Sequence, residues 1–110
     1  MLVLFFSAQS YASEIEINNS WCATMNGISQ FTTKDRTSVD CLTNNFAVEV
    51  EYDYNWKEAI GQSLHYAETT NKQAAILFIK RKETKKDYLN ELNRVITKFQ
   101  LPIRVFITEE

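Results

Sequence analysis

The stretch from Ser38 to Tyr66, SVDCLTNNFAVEVEYDYNWKEAIGQSLHY, decides the fold. Within it Phe46 to Asp53 alternates strictly. Phe46, Val48, Val50 and Tyr52 point one way, and Ala47, Glu49, Glu51 and Asp53 point the other. A period of two marks a strand with one apolar and one acidic face. Tyr54 to Asn71 then changes to helical spacing, with Trp56, Ile60, Ser63 and Ala67 on a buried side and Asn71 as the carboxyl-terminal stop. Upstream, Ser38 to Thr43 is a strand that carries Asp40, and Asn44-Asn45 makes the turn between the two.

Working outward, Ile28 to Thr33 pairs with Ser38 to Thr43 as a hairpin across Lys34-Asp35-Arg36-Thr37. Before it, Glu14 to Asn26 places Ile17, Trp21 and Met25 at i, i+4, i+8, one face of a first helix ended by Gly27. Downstream, Ala74 to Ile79 is a continuous apolar run, the pattern of a strand buried on both faces. Thr84 and Asp87 have the spacing of a capping box for a third helix, whose stripe is Tyr88, Leu89, Leu92, Val95, Ile96 and Phe99. Pro102 ends that connection, and Ile103 to Thr108 is a last strand. The expected class is α/β, with element order α-β-β-β-α-β-α-β. Three antiparallel strands followed by two helical crossovers predict a mixed sheet flanked by helices on both faces.

Composition bounds the rest. The 110 residues make room for one domain and one hydrophobic core. With 45% hydrophobic residues, two glycines and one proline, the chain has the composition of a folded protein. A net charge of −2 argues against a partner held by bulk electrostatic attraction. Residues 1–12, MLVLFFSAQSYA, are uncharged, and Ser10 and Ala12 are spaced like the end of a signal peptide cleaved after Ala12. The expectation is export to the periplasm or beyond, with residues 13–110 as the mature domain. The basic leader region is missing, so a folded amino-terminal element in a cytoplasmic protein is the alternative. Leu2 to Phe6 is too short to span a bilayer, which takes about 20 apolar residues. In an oxidising compartment Cys22 and Cys41 would form a disulfide; the other reading is two buried thiols. Asn18-Asn19-Ser20 matches a glycosylation sequon.

The chemistry lies in the acids. Asp40 and Glu49 are on neighbouring strands, and Glu51 shares the face of Glu49, so three carboxylates converge. They are tolerated when solvent reaches them as an outer face, when some are protonated, or when a hard cation such as Mg²⁺ or Mn²⁺ sits between them and activates water for phosphodiester hydrolysis. Helix phase adds Asn55, Glu58, Gln62 and Tyr66 at i, i+3, i+7, i+11 on one face of the following helix.

Element order, Asp40 on the second strand, Glu49-Val50-Glu51 on the third and Gln62-Ser-Leu-His-Tyr66 on the helix together resemble the PD-(D/E)xK nuclease-like superfamily, in its RecB-type QxxxY variant. The runs V-D-C-L-T and W-x-E-A-I-G-Q-S-L are also similar to a group of small exported bacterial proteins expected to share that fold. The resemblance implies a restriction-endonuclease-like fold and a metal-dependent nuclease. In it Asp40 and Glu49 would hold the metal, with Glu14 or Glu16 as the helix-one glutamate and Glu16 taken as the third ligand. Asp40, Glu49, Glu51 and Gln62 would form the catalytic set, while Gln62 and Tyr66 would contact nucleic acid. Where that family has lysine this chain has Glu51, and Asn55 stands at the nearest replacement on the helix. Lys57 lies about 140° around the helix from Gln62 at roughly 100° per residue. The alternative function is therefore an inactive nuclease-like scaffold used outside the cell to bind a protein or ligand.

Other candidates are simpler. Lys80, Arg81, Lys82, Lys85 and Lys86 form a basic patch suited either to a phosphate backbone or to a solvated loop. His65 lacks a nucleophile partner, Trp21 and Trp56 sit at core positions, and no glycine-rich phosphate loop is present.

Overall fold

The computed structural model describes residues 13–110; the expected signal segment, residues 1–12, lies outside them. The chain forms α1 (Glu14–Thr24), β1 (Ile28–Thr32), β2 (Ser38–Leu42), β3 (Phe46–Tyr52), a 3-10 turn (Asp53–Asn55), α2 (Trp56–Thr70), β4 (Gln73–Lys80), α3 (Tyr88–Phe99) and β5 (Ile103–Glu109). Element order and the mixed sheet follow the sequence expectation. The strands lie in the order β1-β2-β3-β4-β5, antiparallel across β1, β2 and β3 and parallel across β3, β4 and β5.

The central strand β4 explains the layering. Its residues from Ala74 to Ile79 are all buried, and they alternate between two cores. Ala75, Leu77 and Ile79 join Val48, Val50 and the α1 residues Ile17 and Trp21 on one face. Ala74, Ile76 and Phe78 meet Trp56 and Ala59 of α2 and Leu92 of α3 on the other. A run that is apolar on both pleats thus has a helical layer on each side, as expected of a parallel strand.

Helix ends differ from expectation in two places. Asn26, with φ of 55°, supplies the left-handed residue after α1, while Asn71, with φ of 56°, ends α2 as read. Gly27 matters for a different reason, because a Cβ there would lie 2.6 Å from Cys41 Sγ and 2.7 Å from Cys22 Sγ. Only a residue without a side chain lets the backbone pass the bridge. The Thr84–Asp87 capping box is replaced by Asp87 itself, whose Oδ1 accepts from Asn90 N at 3.0 Å. The helix starts at Tyr88, three residues too late for Thr84 to cap it.

Cys22 and Cys41 are disulfide-bonded, joining α1 to β2, so the bridge and not the buried thiols is the outcome. No helix among the described residues is long and apolar enough to cross a membrane.

Candidate functional site

Asp40 sits where the antiparallel half of the sheet is distorted. Pairs on β1 and β2 run Ile28↔Leu42, Ser29↔Cys41, Phe31↔Val39 and Thr32↔Ser38, skipping Gln30 and Asp40. Gln30 has φ of 55°, a left-handed conformation inside a strand. The alternation slips here: Cys41 faces the α1 core while Val39 packs with Ala47 and Tyr66 on the α2 side. The β2–β3 ladder holds only Cys41↔Val48 and Leu42↔Ala47. Past that point the Asp40 side chain takes over, its Oδ2 accepting the Val50 N–H at 2.8 Å. From α1, Asn18 Nδ2 donates to the Asp40 carbonyl at 2.8 Å. Asn18 is 1% exposed, so the sequon match marks a buried tie and not a surface acceptor.

Around this opening the acids gather, but they are not a solvated face. Helix α2 covers them: Glu49 is 3% and Glu51 9% exposed. The α2 face read from helical spacing points at them as expected. With its amide nitrogen turned toward the carboxyl group, Gln62 donates to Glu49 Oε1 and Oε2 at 2.9 Å each. The Tyr66 hydroxyl also bears on Glu49, and Asn55 Nδ2 donates to Glu51 Oε1 at 3.3 Å. Glu51 Oε1 also accepts the Tyr52 N–H at 3.1 Å.

Burial of like charges sets the protonation. Burial, then the adjacent Asp40, pushes the Glu49 carboxyl up to about 9, so it is protonated at neutral pH. Asp40 and Glu49 are close enough to hydrogen-bond side chain to side chain, with burial raising Asp40 as well. Glu51 is raised by burial against the pull of Asn55. On α1 it is Glu14 that reaches the cluster: burial, then Glu51 and Asp40, pushes it up to about 7. Tyr66 is raised by burial and then by Glu49.

Of the residues anticipated, Asp40, Glu49, Glu51, Gln62 and Tyr66 come together, and Glu14 joins them. Glu16 does not. It is exposed and lines a groove with Ile17, Trp21 and Thr108, which corrects its placing as the third metal ligand. Helical periodicity explains this, because Glu14 and Glu16 lie about 200° apart around the helix.

A hard cation needs ionised carboxylates with free oxygens directed at one point. Here Asp40 is engaged by Val50, Glu49 by Gln62 and Asp40, and Glu51 by Asn55 and Tyr52. Among the described residues no three His, Cys, Asp or Glu side chains are set to hold a metal ion. As arranged, these carboxyls are engaged with protein donors and with one another.

No family model, curated protein or solved structure matches this chain.

The other candidates resolve into structural roles. Asp53, 1% exposed, leaves the acidic face and pairs with Arg81, its Oδ1 2.7 Å from Nε and its Oδ2 accepting the Arg81 N–H at 3.2 Å. Against burial, the contacts with Arg81 and with the Thr84 hydroxyl hold Asp53 below its usual range. His65 Nε2 lies 3.2 Å from Asp35 Oδ2, both exposed. Trp21 packs against Phe106 with ring centroids 5.2 Å apart. Lys57 turns away from the acids, its Nζ 5.6 Å from the Trp56 ring centre.

Proposed function

We propose that the chain is a PD-(D/E)xK nuclease-like domain, with the restriction-endonuclease-like fold, whose acidic centre no longer hydrolyses phosphodiesters. It works as an exported binding or interaction protein. One observation carries this reading: among the described residues, none of the groups that bear on the carboxyls is a cation. Glu51 stands at the lysine position, Asn55 serves Glu51, and Gln62 and Tyr66 serve Glu49. Among the described residues no cation stands ready at the carboxyls to balance charge on an attacking water or on a transition state. The protein relieves its crowded acids by keeping a proton on Glu49, which removes negative charge that a metal needs.

A second reading, Mg²⁺- or Mn²⁺-dependent cleavage of nucleic acid, is favoured by the convergence of Asp40, Glu49, Glu51 and Glu14 beside Gln62 and Tyr66. The experiment that separates them incubates the protein with single- and double-stranded DNA and with RNA, in Mg²⁺ and in Mn²⁺, beside Asp40→Ala and Glu49→Ala. The expected result is no cleavage, and no heat of metal binding by calorimetry at pH 7. Cleavage by the parent that both substitutions abolish would establish the second reading instead.

A further inference from the structure

At the carboxyl ends of β3 and β4, where Asp53 follows the one and Lys80 ends the other, lies a cavity of about 210 Å³. Asp53, Phe78, Lys80, Thr84, Lys85 and Tyr88 are among its lining residues, at the strand-end position where open α/β sheets take ligands. We propose that this cavity binds a dianionic phosphate group, either as inorganic phosphate or as a phosphomonoester.

The charge count around the cavity leads there. Its acids are already engaged. Both Asp53 oxygens are taken by Arg81, and Asp87 Oδ1 holds the Asn90 N–H of α3. Lys86 is paired with Glu91 at 3.0 Å. Lys80 and Lys85 are left with no carboxylate within ion-pair distance, although Glu109 is the register partner of Lys80 on β5. Two unpaired ammonium groups at one cavity match a dianion better than the single charge of a phosphodiester.

A second observation is the hydroxyl of Thr84. Its Oγ1 is buried and faces the Asp53 carboxylate, whose two oxygens Arg81 already holds. A buried hydroxyl at the wall of a cationic cavity, beside a carboxylate that is already engaged, can turn its proton to a bound phosphate oxygen. Phe78, Tyr88 and Leu89 supply an apolar wall. That wall suits the organic part of an ester, and the Lys86 Nζ, 5.3 Å from the Tyr88 ring centre, closes its rim.

This inference is independent of the acidic centre, and its test uses neither metal nor nucleic acid. Amide chemical shifts of the ¹⁵N-labelled protein are followed during titration with inorganic phosphate, phenyl phosphate and dimethyl phosphate. Shifts concentrated in residues 80–89 are expected with the first two and not with the diester. A larger affinity for phenyl phosphate than for phosphate would identify the ester as the ligand, and equal affinities the free ion. The Lys80→Gln/Lys85→Gln double variant should bind at least about tenfold more weakly, with an unchanged thermal midpoint, and Thr84→Val should lose affinity in the same direction. Absence of shifts in residues 80–89 up to roughly 10 mM phosphate would overturn the proposal. So would a double variant that titrates like the parent, or a diester that binds as well as the monoester.

Discussion

Glu49 shows what one buried carboxyl does to the whole protein. Its value in the fold is about 9 against an ordinary 4.5, so between those limits the folded state holds a proton that the unfolded chain has released. Stability is then fully present below 4.5 and drains away as pH climbs toward 9, at no more than about 1.4 kcal/mol per pH unit for one group. Glu14, at about 7, adds a loss of the same sign over the lower part of that window. Thermal midpoints measured from pH 5 to pH 9 should therefore fall steadily, and Glu49→Gln, which keeps the shape without the charge, should flatten the curve. A midpoint that is level or rises across that range, or a Glu49→Gln protein as sensitive as the parent, would contradict the buried-proton account.

Among the elements, β3, α2 and β4 were legible because each carries a pattern that needs no partner to be seen. Strict alternation gave the two faces of β3, and the spacing of Asn55, Gln62 and Tyr66 gave the α2 face that meets Glu49 and Glu51. What the pattern could not say was whether that acidic face met water or a helix, since period two is identical in both cases. The distortion at Gln30 and Asp40 was hidden for a different reason: the left-handed Gln30 and the slipped alternation of β2 are held by α1 through Asn18. The Asp53–Arg81 pair was hidden likewise, being separated by 28 residues in the chain. The α1–β2 tie can be tested. Asn18→Ala strips the Asp40 carbonyl of its donor and should cost about 1–3 kcal/mol in chemical denaturation. It should also speed hydrogen exchange at the Val50 amide, which depends on where Asp40 points; unchanged exchange there would show that β2 holds its distortion without α1.

Taken whole, the molecule is two halves of unequal cohesion. The parallel half, β3 to β5, has seven register pairs at each of its two ladders and helices on both sides. The hairpin β1–β2 joins it through two register pairs, the Asp40–Val50 hydrogen bond, the packing of Val39 on Ala47 and Tyr66, the exposed His65–Asp35 contact and the fastening of α1. A disulfide that closes a loop with a sequence separation of 19 stabilises by about 3 kcal/mol, chiefly by restricting the unfolded chain. Thiol reduction, or Cys22→Ala/Cys41→Ala, should lower the free energy of unfolding by about 2–4 kcal/mol in urea titrations. An unchanged midpoint would mean that the bridge is incidental to the fold.

The short β2–β3 ladder also has a bearing on order of opening. A continuous ladder would bind all five strands into one cooperative unit, whereas a seam beside β3 divides the sheet into two units of hydrogen-exchange protection. Once the bridge is cut, the amides of β1 and β2 should exchange through a sub-global opening that leaves β4 and β5 protected. In such a state Glu49 would meet solvent at the opened edge of β3, shed its proton at neutral pH, and resist closing again. The seam thus makes the acidic centre a latch as much as a site, one kept shut by a disulfide and by protons together.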